Sequence, residues 1–355
     1  MSAEVPYTDL LMDMLSIPAV SREEKLRADF LENYLQGAGF PVSRIHHNLL
    51  VGDPEVKGPA VLMNSHLDTV PPVEGWTTDP YAPVVEGDRI TALGSNDAGA
   101  SVVTMLAAFG RMKEELKERM NLLLLISAEE EVSGENGIAS VLSILGKLEA
   151  VLVGEPTGMN PAVAERGLMV LDGEVKGKAG HAARNEGRNA IYEAMEDIRA
   201  IRGLKCTEKS VWLPEPGANV TMISAGTSHN VLPDICRFVV DVRSNDRYGN
   251  EEMLEMIRSV CRAELTPRST RLKPSGIEAD HFLMKAIHDC GFEPFGSSTL
   301  SDMALVPFPA VKMGPGDSAR SHTAGEYILI SEMEEGIEKY CQFLENINYS
   351  IENSP

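Results

Sequence analysis

The sequence predicts an α/β protein in which a mainly parallel sheet is covered by helices and interrupted by a separate α+β unit. Three runs, "AVLMNSHLD", "NLLLLISAEEE" and "AVLVGEPT", are apolar on both faces and spaced to leave room for helices between them. Strands buried on both faces read this way when helices cover the sheet. The stretches "ASVVTMLAAFGRM" and "NGIASVLSILGK" supply the crossovers. From about Leu168 the texture changes, and alternating strands and amphipathic helices predict a βαββαβ unit.

Each element has its own signal. Ser21 with Glu24 reads as a capping box, followed by a helix whose face is Leu26, Phe30, Tyr34 and Leu35 and which stops at Gly37 and Gly39. In the inserted unit, "LMVLDGEVKG" predicts a strand, "GRNAIYEAMEDIRAI" a helix, "VTMISAG" and "CRFVVDVRS" two strands, and "EEMLEMIRSVCRAEL" a second helix. After "TPRSTRLKPSG" the chain returns to helix, loop and strand in "HFLMKAIHDCG" and "AVKMGPG", and closes on the helix "SEMEEGIEKYCQFLENI". The expected domains are a discontinuous α/β domain over 1–165 and 273–355 and an insertion over 166–272.

Composition narrows the function. The chain has 355 residues, enough for two domains, and carries 53 acidic against 32 basic residues, a formal charge of -21. That balance argues against nucleic acid or an anionic membrane as partner and suits a cationic small substrate. Five widely spaced cysteines form no C-x-x-C pair, which fits a reducing cytoplasm and argues against thiolate metal ligands. The first residues lack a basic region followed by an apolar stretch, and no run approaches a membrane span, so a cytoplasmic protein is expected.

In open α/β sheets the site lies at the carboxyl ends of the strands. The first apolar run ends in His66 and Asp68, which i, i+2 spacing in a strand puts on one face. The second ends in Glu129, Glu130 and Glu131, and the third in Glu155. Asp97 in "LGSNDAG" and His322 in "GPGDSARSHTAGE" add a short carboxylate and a second imidazole. Each has an ordinary structural reading: a strand-end hydrogen bond, a solvated helix start, an N-cap, a loop acid, a solvent-facing histidine. Their joint order on the strand ends of one sheet points instead to a hard oxygen and nitrogen set suited to two zinc ions.

With these residues in this order, nearly the whole chain resembles the dizinc aminoacylase and carboxypeptidase-like amidohydrolases, which include acetylornithine deacetylase and succinyl-diaminopimelate desuccinylase. The resemblance implies a dizinc peptidase-like catalytic domain and an inserted dimerisation and lid domain. It implies that His66, Asp97 and Glu155 hold one ion, that Asp97, Glu131 and His322 hold the other, and that Asp68 orients the His66 ring. Two divalent ions are expected, zinc first, with cobalt or manganese as alternatives. Aligning "SAEEEVSG" with the family pattern makes Glu129 the equivalent of the family's aspartate, Glu130 the general base and Glu131 the ligand.

"GKAGHAARNEGRNAI" resembles the family's lid stretch, which implies that His181 reaches the active site of a partner subunit in a homodimer. "SAGTSHNVLPDICRFVVDVR" resembles the lid hairpin, making Asn230 and Arg243 candidates for holding substrate, with an ordinary hairpin role as the other reading. The resemblance implies removal of an acyl group from an N-acyl amino acid, N-acetylornithine or N-succinylornithine, as in arginine biosynthesis. Departures lie in "ALGSNDAGAS" around Asp97 and in "TLSD", residues 299–302, where the family has a glycine-glycine-threonine-aspartate stretch. The rivals are a succinyl-diaminopimelate desuccinylase, a di- or tripeptidase on the same scaffold, and an inactive metal-bearing binding protein. A serine hydrolase is disfavoured because "GPGDSARSH" lacks the G-x-S-x-G elbow.

Overall fold

A computed structural model describes residues 6–184 and 186–352. The chain divides into two compact units, one of Met1–Val163, Ile277–Phe295 and Ser301–Pro355, the other of Ala164–Gly276 and Gly296–Leu300. The return of Gly296–Leu300 to the second unit has no sequence signal, because so short a segment shows no periodicity.

The first unit is built on a sheet whose central strands are parallel. Asn121–Ser127, Ala60–His66, Ala150–Val153 and Ala310–Lys312 lie side by side in that order and run the same way. The hairpin Val42–Ile45 and Asn48–Val51 adds two antiparallel strands beside Asn121–Ser127. Every residue of Asn121–Ser127 and of Ala150–Val153 is buried, as both-face coverage demands. On one face Leu62, Leu123, Leu125, Val151 and Val153 pack against Ile138, Val141 and Leu145. The long helix Ala100–Leu116 packs on the strands Ala60–His66 and Asn121–Ser127 and on the C-terminal helix Ile330–Glu352. Register sets the position of the site: His66 lies opposite Ser127, and Asn64 opposite Val153. The residues just past these strand ends therefore emerge at one edge of the sheet.

The second unit follows the order βαββαβ. Its strands Gly217–Ala225, Ile235–Arg243, Leu168–Lys176 and Glu264–Leu272 form an antiparallel sheet in that spatial order. The helices Ala190–Arg202 and Asn250–Val260 contribute Ala194, Ile201, Met253 and Ile257 to a core with Leu171, Phe238, Val240 and Val242. Gly173 has to be glycine here, since a Cβ would run into the Phe238 ring. Among the described residues no helix is long and apolar enough to cross a membrane.

Three local expectations are corrected. The helix over Lys25–Gly37 buries Arg27, Ala28, Leu31 and Leu35, while Leu26 is 65% exposed. The helix is turned by the Arg27 guanidinium, which donates to Ile17 O and Leu67 O at 2.7–2.9 Å and is drawn wholly inside. The capping box does not form: Ser21 Oγ donates to Asp68 Oδ2 at 2.7 Å, and Glu24 accepts the Glu129 N–H at 3.3 Å. The helix expected through "CRAEL" ends at Val260, and "ELTPRSTRL" is a strand. The Asp197 carboxylate accepts the N–H groups of Arg262 and Ala263, which turns the chain out of the helix.

Candidate metal centre

Two imidazoles and four carboxylates meet beyond the parallel strand ends. His66 closes its strand with its side chain 1% exposed. Its Nε2 lies 3.2 Å from Asp97 Oδ1, 3.7 Å from Glu155 Oε1 and 4.0 Å from Glu130 Oε2. The second oxygen of Asp97, Oδ2, is 3.5 Å from His322 Nε2, which is in turn 3.1 Å from Glu131 Oε2. Asp97 thus turns one carboxylate oxygen to each imidazole. His66, Asp97 and Glu131 offer ligand atoms all within 4.8 Å of one another, and so do His66, Glu130 and Glu155.

These residues fit divalent ions. Donors each about 2.0–2.2 Å from one zinc ion lie roughly 3.3–3.6 Å apart at the corners of a tetrahedron. The pairs His66–Asp97, His66–Glu155, Asp97–His322 and Glu131–His322 fall at 3.2, 3.7, 3.5 and 3.1 Å. The donors are oxygen and imidazole nitrogen, with no thiolate among them. Without a cation, burial and mutual repulsion favour the protonated form of the acids least offset by the two imidazoles. Burial first, then the neighbouring carboxylates, push Glu130 and Glu155 well above the usual carboxylate range. Burial opposes charge on His66, but its bonds to Asp68 and Asp97 prevail and hold the ring well above its ordinary value. The Glu131 carboxylate raises His322 to about 9.

Backbone contacts hold these side chains in place. The His66 Nδ1 atom is 3.0 Å from Asp68 O and 3.5 Å from Asp68 Oδ1, so the nearer partner is the carbonyl and not the carboxylate. The Asp68 carboxylate also accepts the N–H groups of Glu130 and Glu131 at 3.1 and 3.2 Å, with Ser21 on the same group. Burial disfavours charge on Asp68, yet the His66 and Ser21 contacts and the Glu130 N–H keep its pKa below the ordinary value. The glutamates lie on a turn, not at a helix start, and Glu129 points away to Asn136.

Four contributors escaped the sequence reading. Glu326, buried four residues beyond His322, accepts the N–H groups of Gly94, Asn96 and Asp97 at 2.9–3.1 Å. It stitches the Asp97 turn to the His322 loop, and burial raises its pKa to about 7. Asn96 adds bonds to Asp317 and Ser321. Asp302, the acid of "TLSD", is buried and accepts from Asn64 and Ser127 at 2.9 and 2.8 Å, and burial lifts it to about 6. Arg27 holds the Leu67 carbonyl between His66 and Asp68 at 2.7 Å. Asn96 and Asp302 stand in the two segments, "ALGSNDAGAS" and "TLSD", that depart from the family pattern; Glu326 and Arg27 have no such signal.

The remaining candidates lie in the second unit. His181 and Asn230 are brought together, because Gly180–His181 pairs with Val231–Leu232 and Ala182 N–H bonds Asn230 O at 3.0 Å. The His181 ring is exposed and accepts the Ala183 N–H at 3.2 Å. Asn185, within the lid stretch, lies outside the described residues. The Arg243 fork pairs with Asp241, at 2.8 Å from Nε and 3.1 Å from Nη2, the ordinary strand role that the sequence leaves open beside substrate binding.

Comparison with known proteins assigns the chain to a family. The chain is 26% identical over 350 residues to acetylornithine deacetylase of Myxococcus xanthus, covering 93% of this chain and 88% of the relative. It is 28% identical over 273 residues to succinyl-diaminopimelate desuccinylase of Dinoroseobacter shibae, covering 71% of each. Its fold matches the crystal structure of aminopeptidase PepT from Bacillus cereus with a TM-score of 0.74 at 18% identity, over 96% of this chain and 98% of that one. Residues 62–346 match the family described as Peptidase family M20/M25/M40, so the chain belongs to that family and is a hydrolase of amide bonds.

Proposed function

We propose that the protein removes the acyl group from an N-acylated amino acid, N-acetylornithine or N-succinylornithine first, with two zinc ions at the strand-end site. The observation that carries the two-ion reading is Asp97, whose two oxygens face His66 and His322 separately. His66, Asp97 and Glu155 would hold one ion, and Asp97, Glu131 and His322 the other. Divalent ions there would supply Lewis acidity and lower the pKa of a water into the neutral range.

The protein's own groups then move the protons. Glu130 takes the proton of the attacking water and returns it to the leaving amine. Its buried setting raises its proton affinity, as a base working near neutral pH requires. Asp68 fixes the Glu130 and Glu131 backbone while Arg27 holds the adjoining strand end. The ornithine assignment is supported by the relative of that name along most of the chain and by the acidic protein, which favours approach of a cationic side chain. The desuccinylase relative supports a succinyl group as the alternative. A peptidase reading draws only on fold likeness. Five free cysteines suit work in a reducing cytoplasm.

A homodimer through the inserted unit belongs to the same proposal. Among the described residues, strand Gly217–Ala225 pairs on one side only and exposes Met222 (65%) and Ile223 (55%), and the helix Ala190–Arg202 exposes Tyr192 (69%). An open edge beside exposed apolar side chains suits a second copy. His181, and Asn230 beside it, would then complete the partner's site.

Three outcomes test these assignments. Glu130→Gln is expected to lower kcat by about 10²–10⁴-fold with both ions retained, whereas Glu131→Gln loses one ion; metal content and rate on both decide it, and the reverse pattern shifts base and ligand by one residue. For kcat/KM on zinc-loaded protein, N-acetylornithine or N-succinylornithine should exceed N-succinyl-diaminopimelate and a set of dipeptides, and faster dipeptides would make the protein a peptidase. Mixing inactive His181→Ala and Glu130→Gln chains should restore activity through one intact site per mixed dimer, and no recovery after verified subunit exchange removes the trans role of His181.

A further inference from the structure

The carboxylates of Glu130 and Glu131 are carried by the turn Ala128–Asn136, which begins where the strand Asn121–Ser127 ends. The turn is not self-supporting. Glu129 and Ser133 both sit at positive φ, 56° and 44°, a conformation that non-glycine residues hold only when surrounding contacts impose it. Two tight backbone bonds fold it, Ser133 N–H to Glu130 O and Gly134 N–H to Glu129 O, each 2.7 Å. The Glu129 carboxylate folds over Gly134, where any Cβ would collide with it, and accepts the N–H and Nδ2–H of Asn136.

The entry and the exit of this turn are held by one side chain from the neighbouring strand. Asn48, with no exposed surface, accepts the Ala128 N–H on Oδ1 at 2.9 Å. Its Nδ2 donates to Asn136 O at 2.6 Å and to Ile45 O at 2.9 Å. Strand pairing explains its reach, since Leu49 lies opposite Ile126 and puts Asn48 level with the end of that strand. The task requires an acceptor and two donors on one short planar group. Aspartate lacks the donors, alanine lacks both, and glutamine is one methylene too long.

We propose that Asn48 is a positioning residue for the hydrolysis: it closes the Ala128–Asn136 turn so that Glu130 and Glu131, fixed on their other side by Asp68, aim at different partners. This rests on the reading of Glu130 as base and Glu131 as metal ligand. The group touches neither substrate nor metal, so its loss acts through the two glutamates. The His66, Asp97 and Glu155 set, carried by other segments, is left in place.

Asn48→Ala and Asn48→Asp, each titrated with zinc and assayed beside the parent, test this. In both, kcat should fall about 10- to 100-fold, the size usual for groups that orient a metal ligand, with KM changed far less. Affinity for one of the two ions should weaken, and the amides of residues 128–136 should exchange hydrogen faster while strands Ala60–His66 and Asn121–Ser127 stay protected. Faster exchange in the turn with unchanged kcat and zinc affinity would overturn the proposal. So would a loss of kcat that follows faster exchange throughout the sheet, which would make Asn48 a stability residue only. If Asn48→Ala does not fold, Asn48→Asp, which keeps the Ala128 bond, decides by the same readouts. Glu130→Gln in the same assay separates the two levels: full turnover there removes the assignment of the base, whereas exchange in the turn still reports whether Asn48 holds it closed.

Discussion

A buried carboxylate, Asp68, is the contact on which the site depends. It lies two residues past the end of a central strand and accepts from Ser21, Glu130 and Glu131 while its carbonyl meets the His66 ring. Segments far apart in sequence are thereby fixed to one another at the edge of the sheet. A buried ionised acid is stable only with this many donors around it, and two of those donors are the N–H groups of Glu130 and Glu131. Structural need and chemical need are met by the same hydrogen bonds.

Around that contact the site has two halves of different character. The His66 half is buried and backed by strands, whereas His322 is carried on a loop with its ring 52% exposed and its φ at 58°. What joins them is the Asp97 turn, bound by Glu326 and Asn96 to the loop that carries His322. The side chains of Arg89 and Arg320 stack on Tyr327 at 3.7 and 4.3 Å, and Arg320 pairs with Glu332, anchoring that loop on the C-terminal helix. Accuracy at a half-exposed imidazole is thus supplied by packed groups behind it.

Much of this was legible in the sequence because the strand-end rule is local. An apolar run buried on both faces announces a central strand, and the polar residue just beyond it falls at the strand ends whatever the distant fold does; His66, Glu130, Glu131 and Glu155 are candidates of this kind, and the structure brings them together. Residues that act through remote backbone were not legible. Glu326, Asn48 and Arg27 bind N–H and C=O groups of other segments, which no spacing or hydrophobic pattern displays. The same blindness explains the misjudged face of Lys25–Gly37, where hydrogen bonds and not apolarity bury Arg27. The strand Glu264–Leu272 was hidden by its polar composition, which suits an edge whose Arg268 pairs with Asp172 across the sheet. Arg243 obeys the rule applied to His66 and Asp68, since Asp241 shares its face at i, i+2 and pairs with it.

The central claim is that Asp97 is shared between two ions. Calorimetric titration of metal-free protein with zinc, for the parent chain and for Asp97→Ala, tests it most directly. The account predicts two ions per parent chain and a loss of affinity at both positions in the variant, because each loses the same ligand. One ion per parent chain, or a variant that loses affinity at one position and keeps the other intact, would contradict it.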